Sequence, residues 1–441
     1  MEYELSRIAA ICGGKFRGCD TVVRSVVTDS RSLTCELGCS PMFVALRGAN
    51  HDSHDFIAQM YNRGVRAFLV EREVEPLPGC GYAVVGNAIE ALQSLAAYHR
   101  AHFKGTVVGI TGSNGKTVIK EWIAEELPAG MKFYRSPKSY NSQLGVPLSV
   151  LMLEGDEELA IFEAGVSQPG EMERLERIIR PDVAIFTSIG DAHQEHFVSL
   201  EQKCDEKMIL ARSASKIIYH SHYEPLGRMI AMRYAARKPI DAARFPEVPQ
   251  AVVGNAASRR NAQIVEAFCA AMNYAAPTFS AAPHVAMRLE VKDGINDSIL
   301  INDAYNLDLN SLALALDYLH NVALGRRCTL VLSDIAQSGL SDDELYGRVA
   351  GMVARAGIDF LVGIGPKLRR YAALFGCEKR FYASTDECIE RLGRDAVAGR
   401  AVLLKGARDY RFEKLAHALS RQSHTTVLEV DLDAMTRNLN H

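Results

Sequence analysis

Residues 109–117 read GITGSNGKT. A lysine and a threonine straight after a glycine-rich turn suit a phosphate chain. Backbone N–H groups of such a turn wrap the phosphates at the positive end of the following helix. Lys116 would reach the β- and γ-phosphates, and Thr117 would hold Mg²⁺. Thr111, Gly112, Ser113, Asn114 and Gly115 complete the loop. The strict pattern has glycine five residues before Gly115, where this chain has Ile110, so Gly112 supplies the turn. The apolar run before the loop reads as a buried parallel strand. VIKEWIAEEL after it reads as a helix. The bland alternative is an ordinary strand-to-helix turn carrying a chance GKT.

Two further apolar runs, ELAIFEAG and DVAIFTSIG, repeat the strand format. Glu163 sits at the carboxyl end of the first, and His193 follows the second. Open parallel sheets bind ligands at that edge, so the loop, Glu163 and His193 can converge. Mg²⁺ takes a few hard protein ligands plus phosphate oxygens and water, which suits Glu163. A solvated strand-end acid and a core or capping histidine are the alternatives. Lys207 and Lys203 lie four residues apart on one face of a predicted helix, where two surface lysines would be unremarked.

These residues need a scaffold, and the chain supplies an α/β one. Val22–Asp29, Met42–Leu46 and Ala67–Glu71 read as strands, with a helix over Asp55–Arg63. The helix Ala88–His102 is expected to bury Ile89, Leu92, Leu95 and Ala96. EMERLERIIR between the two later strands puts Met172, Leu175, Ile178 and Ile179 at helical spacing, and Pro181 helps to end it. Strand–helix–strand implies a parallel sheet with right-handed crossovers. The stretch Tyr274–His284 is small, proline-containing and linker-like. Beyond it ILIND, TLVLSD, FLVGIG and AVLLKG read as strands, with helices over Asn310–His320, Asp342–Ala356 and Phe412–Leu419.

Length and composition agree. The 441 residues allow about three domains. The apolar share is 48% and the charged share 23%, against wholesale disorder or coiled coil. A net charge of -3 gives no general attraction to nucleic acid or anionic membrane. No apolar run approaches the roughly 18 residues that span a bilayer. The N-terminus lacks the apolar core of a signal peptide. The ten scattered cysteines form no CxxC pair. A reduced, cytoplasmic protein without a disulfide scaffold is expected.

Several ordered motifs together resemble the Mur ligases, the peptidoglycan amide-forming enzymes, and more distantly the folate ligases. TGSNGKT is similar to their ATP loop, and YNSQLGVPLSVL to the stretch that follows it. TDSRSLTCELGCSPMFVALRG at 28–48 resembles the uridine-nucleotide domain. EAGVSQPGEM, IGDAHQEHF, NDAYNLDLNS and LLKGAR also fit, nearest the branch that adds D-alanyl-D-alanine. The resemblance implies a UDP-substrate domain over 1–103, a central P-loop domain with a parallel sheet over 104–285, and a Rossmann-like domain for the amino substrate over 286–424.

The resemblance also implies roles. Glu163 and His193 would serve the metal ions. Lys207 matches the lysine that takes up CO₂ to become a carbamate, an anion able to hold a second Mg²⁺; Lys203 is one turn away. Asn261 matches the last position of an Asn-rich element near adenine, Ala257 and Ser258 standing at the earlier ones. Helix capping is its other reading. Within NDAYN, Asp303 could accept hydrogen bonds from ribose hydroxyls and Tyr305 could pack on the nucleoside. Arg288 matches an arginine that reaches the phosphates. Lys405 and Arg408 match an element that meets the amino substrate or the acyl phosphate, where fixed cations favour developing charge. Ser30 and Arg31 match a turn that contacts the uridine nucleotide, an arginine fork suiting pyrophosphate.

The implied reaction is ATP-dependent joining of D-alanyl-D-alanine to UDP-N-acetylmuramoyl-tripeptide, in peptidoglycan precursor synthesis. Another amino substrate is the first alternative, although a diaminopimelate-adding member would carry a DNPR-like signature where this chain has DYRF at 409–412. The second is a nucleotide-binding scaffold. It is motivated by residues 425–441, TTVLEVDLDAMTRNLNH, which resemble the opening of an alanine racemase. A ligase–racemase fusion is implied, with no pyridoxal phosphate site in these residues.

Overall fold

The computed structural model describes residues 1–30, 40–48, 52–137, 140–190, 196–249, 256–279, 290–303, 307–323, 325–335 and 340–421. The racemase-like tail lies outside them. The chain forms two compact units. The first is Met1–Met287 with the short segments Asp308–Leu314 and Gln337–Leu340, and the second is the remainder.

The first unit opens with β1 (Tyr3–Glu4), α1 (Leu5–Ile11), β2 (Lys15–Gly18), β3 (Val22–Val23), β4 (Ser25–Val27) and β5 (Pro41–Val44). It continues with α2 (Ile57–Asn62), β6 (Ala67–Val70), β7 (Gly81–Val84) and α3 (Ala88–Ala101). Five of these strands form a sheet in the order β2-β7-β6-β5-β4, parallel except for β2. The single strand expected over Val22–Asp29 is two. Val22–Val23 pairs antiparallel with β1, whereas Ser25–Val27 pairs parallel with β5. Arg24 makes the break: its N–H donates to Ser40 O at 3.0 Å and its side chain meets Glu2 at 2.9 Å.

The helix expected over Asp55–Arg63 begins as a 3₁₀ turn, Ser53–Phe56, which Asp52 caps by accepting from the His54 N–H. In α3, Asn87 accepts from the Glu90 N–H at 3.0 Å and so caps the first turn. The buried face is Ala88, Ala91, Leu92, Leu95 and Ala96. Ile89, expected on that face, is exposed instead. Ala88 and Ala91 take places on the buried face, and Ile89 falls outside it.

The middle of this unit holds β8 (Thr106–Thr111), α4 (Lys116–Glu125), β9 (Phe133–Arg135), α5 (Gly145–Val150), β10 (Leu159–Ala164) and α6 (Glu171–Ile179). Then come β11 (Val183–Phe186), α7 (Leu200–Met208), β12 (Lys216–Tyr219), α8 (Leu226–Arg233), β13 (Ile240–Asp241) and the helix Ala256–Ala271. The sheet order is β13-β12-β11-β8-β10-β9, all parallel. The strand β8 is central, so the loop after it emerges at the middle of the carboxyl edge. Met172, Leu175, Ile178 and Ile179 of α6 are buried, as their spacing predicts.

One core runs across residue 103. Leu92, Leu95 and Ala96 of α3 share a cluster with Val146 and Val150 of α5 and with Leu175 and Ile178 of α6. Each such aliphatic side chain withdrawn from water contributes about 1.5–3 kcal/mol. Arg100 is buried at the same junction and donates to Ile179 O at 2.9 Å and Arg180 O at 3.0 Å. The described part of the linker-like stretch is fastened down as well. The Thr278 and Phe279 N–H groups donate to the Glu126 carboxylate, and the Phe279 ring stands edge-on to Trp122 at 5.6 Å.

The second unit is built on β14 (Glu290–Asp293), β15 (Ile299–Asp303), β16 (Cys328–Ser333), β17 (Phe360–Ile364), β18 (Glu378–Tyr382) and β19 (Ala401–Lys405). Their order is β14-β15-β19-β16-β17-β18, parallel except for β14. The last strand returns to the slot between β15 and β16. Helices Leu309–Ala323, Asp342–Arg355 and Phe412–Leu419 match the expected positions within a few residues. Cysteines among the described residues are free. No described helix is long and apolar enough to cross a membrane.

Candidate active site: a phosphate loop, a buried carboxylate and a lysine cluster

The loop between β8 and α4 depends on two glycines. Gly112 has φ 149, and a Cβ there would lie 1.8 Å from Thr187 Oγ1. Gly115 has φ 90, and its Cβ would lie 2.9 Å from Asn261 Oδ1. The segment after β11 clamps the loop from the side. The Ser113 N–H donates to Ser188 O at 2.7 Å, the Thr187 hydroxyl to Asn114 O at 2.6 Å, and the Gly190 N–H to Ser113 Oγ at 3.1 Å. Thr111 is fully buried at the end of β8.

Three lysines converge on this clamp. Lys116 Nζ donates to Gly112 O at 2.8 Å and Ser113 O at 3.0 Å. From α7, Lys207 Nζ donates to Gly112 O at 3.3 Å and Lys203 Nζ to Gly190 O at 2.5 Å. Ser199 caps α7 by accepting from the Gln202 N–H, which secures the first turn of the helix that carries both lysines. Lys203 and Lys207 are 1% and 2% exposed, so neither is a surface lysine. Burial, followed by the charges of Lys116 and Lys203, pushes the Lys207 amine well below the ordinary lysine range.

Glu163 pairs in register with Ile110, two residues before Gly112. It is fully buried, and its Oε2 accepts from the Thr117 hydroxyl at 3.1 Å. Lys120 Nζ faces Oε1 at 3.0 Å and donates to Ser136 O at 2.7 Å. The Lys120–Glu163 contact is an ion pair, and among the described residues Oε1 takes no hydrogen bond. An ionised carboxylate offers about four acceptor positions, and Glu163 thus keeps unused capacity beside a hydroxyl. That oxygen set fits a hard divalent cation.

Lys120 belongs to no motif that its residue type or spacing marks out. It follows Lys116 by four residues and Thr117 by three, one helical turn on, and stands between the buried Ile119 and Trp122. A charged residue within an apolar stripe was the available signal.

Asn261 lies well inside the helix Ala256–Ala271, is 8% exposed and meets the loop at Gly115. It is therefore not an N-cap, because the helix has already run for more than a turn. The structure brings it to the phosphate loop. In the second unit, Asp303 and Lys405 are paired residues of β15 and β19, and Lys405 Nζ meets Asp303 Oδ2 at 2.5 Å. Two residues expected to serve different ligands thus neutralise one another. Asp334 at the end of β16 accepts from the Lys367 and Leu368 N–H groups and from the Tyr410 hydroxyl, and so holds that edge together. The Ser30 carbonyl accepts from Arg63 in the first sheet's half of the first unit. Arg31, His193, Arg288 and Tyr305 lie outside the described residues, as does the side chain of Arg408.

A central parallel strand, a glycine turn with φ above zero, and a lysine–threonine pair opening a helix define a P-loop nucleotide-binding protein. Residues 110–242 match the Mur ligase middle domain, and residues 287–408 match the Mur ligase, glutamate ligase domain. Together they take in more than half of the chain, which belongs to the Mur ligase family. The UDP-N-acetylmuramoyl-tripeptide–D-alanyl-D-alanine ligase of Escherichia coli (strain K12) is 27% identical, covering 94% of this chain and 98% of that protein. The ligase of the same name from Bacillus subtilis (strain 168) is 26% identical, covering 90% and 93%. A crystal structure of MurF from Acinetobacter baumannii superposes with TM-score 0.75 at 22% identity, covering 95% of this chain and 98% of that one. MurF from Thermotoga maritima in complex with ADP gives TM-score 0.69 at 20% identity, covering 90% and 97%. These superpositions establish the three-domain Mur ligase fold.

Proposed function

We propose that the chain is an ATP-dependent ligase joining D-alanyl-D-alanine to UDP-N-acetylmuramoyl-tripeptide. One observation carries the chemistry: the Lys116–Thr117 pair opens α4 directly beside the buried Glu163. The substrates rest on the names of relatives that align along nearly the whole chain. The Thermotoga maritima neighbour, solved in complex with ADP, supports nucleotide binding by this fold. We place the reaction in the cytoplasm, where ATP and uridine-linked precursors are available.

The loop N–H groups and Lys116 bind the ATP phosphates. A carboxylate oxygen of the tripeptide attacks the γ-phosphorus, the bond to ADP breaks, and an acyl phosphate forms. The amine of the dipeptide then attacks the acyl carbon. Phosphate leaves, the amide remains, and the nitrogen gives up a proton. Mg²⁺, held by Thr117 and Glu163 with His193 and Lys207 toward a second ion, would offset the phosphate charge. Lys207 suits a carbamate because its burial favours the neutral amine. That nitrogen attacks CO₂ and releases a proton to water. Asn261 is placed for the adenosine end, Asp303, Tyr305 and Arg288 for further ATP contacts, Ser30 and Arg31 for the uridine nucleotide, and Lys405 and Arg408 for the amino substrate.

The test is an assay with the three substrates and Mg²⁺, reading ADP and pentapeptide product together. ADP formation should require the dipeptide, and Lys116→Ala should abolish turnover. ADP released equally without D-alanyl-D-alanine, or no pentapeptide product, overturns the assignment. Side-by-side amino acceptors separate it from the other Mur and folate ligases.

A further inference from the structure

Lys120 is a fully buried cation of the site that the reaction sketched above leaves without a task, as it does Lys203. Its Nζ meets Glu163 Oε1 at 3.0 Å, Ser136 O at 2.7 Å and Glu121 Oε1 at 3.3 Å. Glu121 in turn meets Arg135 at 2.9 Å, at the end of β9. A chain of charges therefore runs Arg135–Glu121–Lys120–Glu163 and ends at the Thr117 hydroxyl on Oε2. The two carboxylate oxygens are divided between two directions. One faces the lysine and the other faces the phosphate loop.

We infer that Lys120 is a positioning residue, which fixes Glu163 through Oε1 so that Oε2 and Thr117 Oγ1 face a divalent cation as one unit. The physical grounds are burial and direction. A carboxylate removed from water needs a compensating charge, or it rearranges. Lys120 supplies that charge from the side away from the loop. The Ser136 carbonyl anchors the amine, and Glu121 with Arg135 anchors the far side, so the lysine does not follow the carboxylate. A side chain held in this way keeps the small tolerance that a metal site requires. The inference rests on the proposed assignment of Glu163 to the metal.

The test measures nucleotide binding to the full chain by calorimetry, with and without magnesium, so that it reads the gain in ADP affinity that magnesium confers. Lys120→Met and Lys120→Gln should lose at least about tenfold of that gain, a factor equal to about 1.4 kcal/mol. Their metal-free ADP affinity should stay near the wild-type value. Lys120→Arg, which keeps the charge, should recover part of the gain. Lys120→Gln retains a donor for Ser136 O, so it remains informative if Lys120→Met does not fold. An unchanged magnesium gain in Lys120→Gln, or equal weakening with and without magnesium, overturns the inference. Glu163→Gln separates the two claims. If it keeps the full magnesium gain, the metal assignment itself fails. If it loses the gain and Lys120→Gln does not, only the role of Lys120 fails.

Discussion

At the residue scale, the phosphate loop is constrained by what surrounds it as much as by its own sequence. Gly112 combines a left-handed φ with a Thr187 hydroxyl where a Cβ would stand. Gly112→Ala should therefore destabilise the protein by more than about 1 kcal/mol, read as a lowered melting temperature, and should weaken ATP binding. Lys207 gives a pH prediction. Its folded-state amine ionises below the ordinary 10.5, so the unfolded chain binds more protons as pH falls from that value toward the folded pKa. Stability is lost over that window and the penalty is full below it. In CO₂-free buffer, Lys207→Met should lose less stability than wild type between alkaline and neutral pH. Parallel melting curves would refute the buried-amine account.

At the element scale, caps and small residues decide where helices sit. Asn87→Ala removes the side-chain acceptor at the start of α3 and should cost about 1 kcal/mol, measured by denaturant unfolding. Ile89→Glu should be nearly neutral in the same experiment, because Ile89 lies off the buried face. That position shows the limit of periodicity. Ile89, Leu92, Leu95 and Ala96 fit a helical stripe on paper, yet the alanines at 88 and 91 set the true face. The same limit explains Arg24, where apolar residues on either side read as one strand and the pairing partners differ. By contrast, β8, β10 and β11 were legible because fully buried parallel strands are continuous apolar runs. Among site residues, Lys116, Thr117 and Glu163 were legible through the strand edge. Lys120 and Lys203 were not, since a charged side chain on a helix reads as solvent-facing until its neighbours are known.

At the scale of the molecule, the core shared by α3, α5 and α6 argues that the first hundred residues are a structural part of the nucleotide-binding body. A fragment 104–287 would expose Val146, Val150, Leu175 and Ile178, and should aggregate or fail to show a cooperative melt. The fragment 1–287 should melt cooperatively and remain soluble. A well-folded 104–287 fragment would contradict this packing. The second unit carries its own apolar cluster, from Leu300 to Leu419, and that strand-and-helix rhythm was readable from the sequence. Residues 1–103 were legible as α/β, but nothing in their spacing showed whose core they complete.

The shared core across residue 103 also bears on motion within this unit. Sliding α3 against α5 and α6 would bring Leu92, Leu95, Val146 and Val150 out of a common apolar cluster into water, at about 1.5–3 kcal/mol for each side chain so exposed. Arg100, which donates to Ile179 O and Arg180 O, adds a polar latch to the same seam.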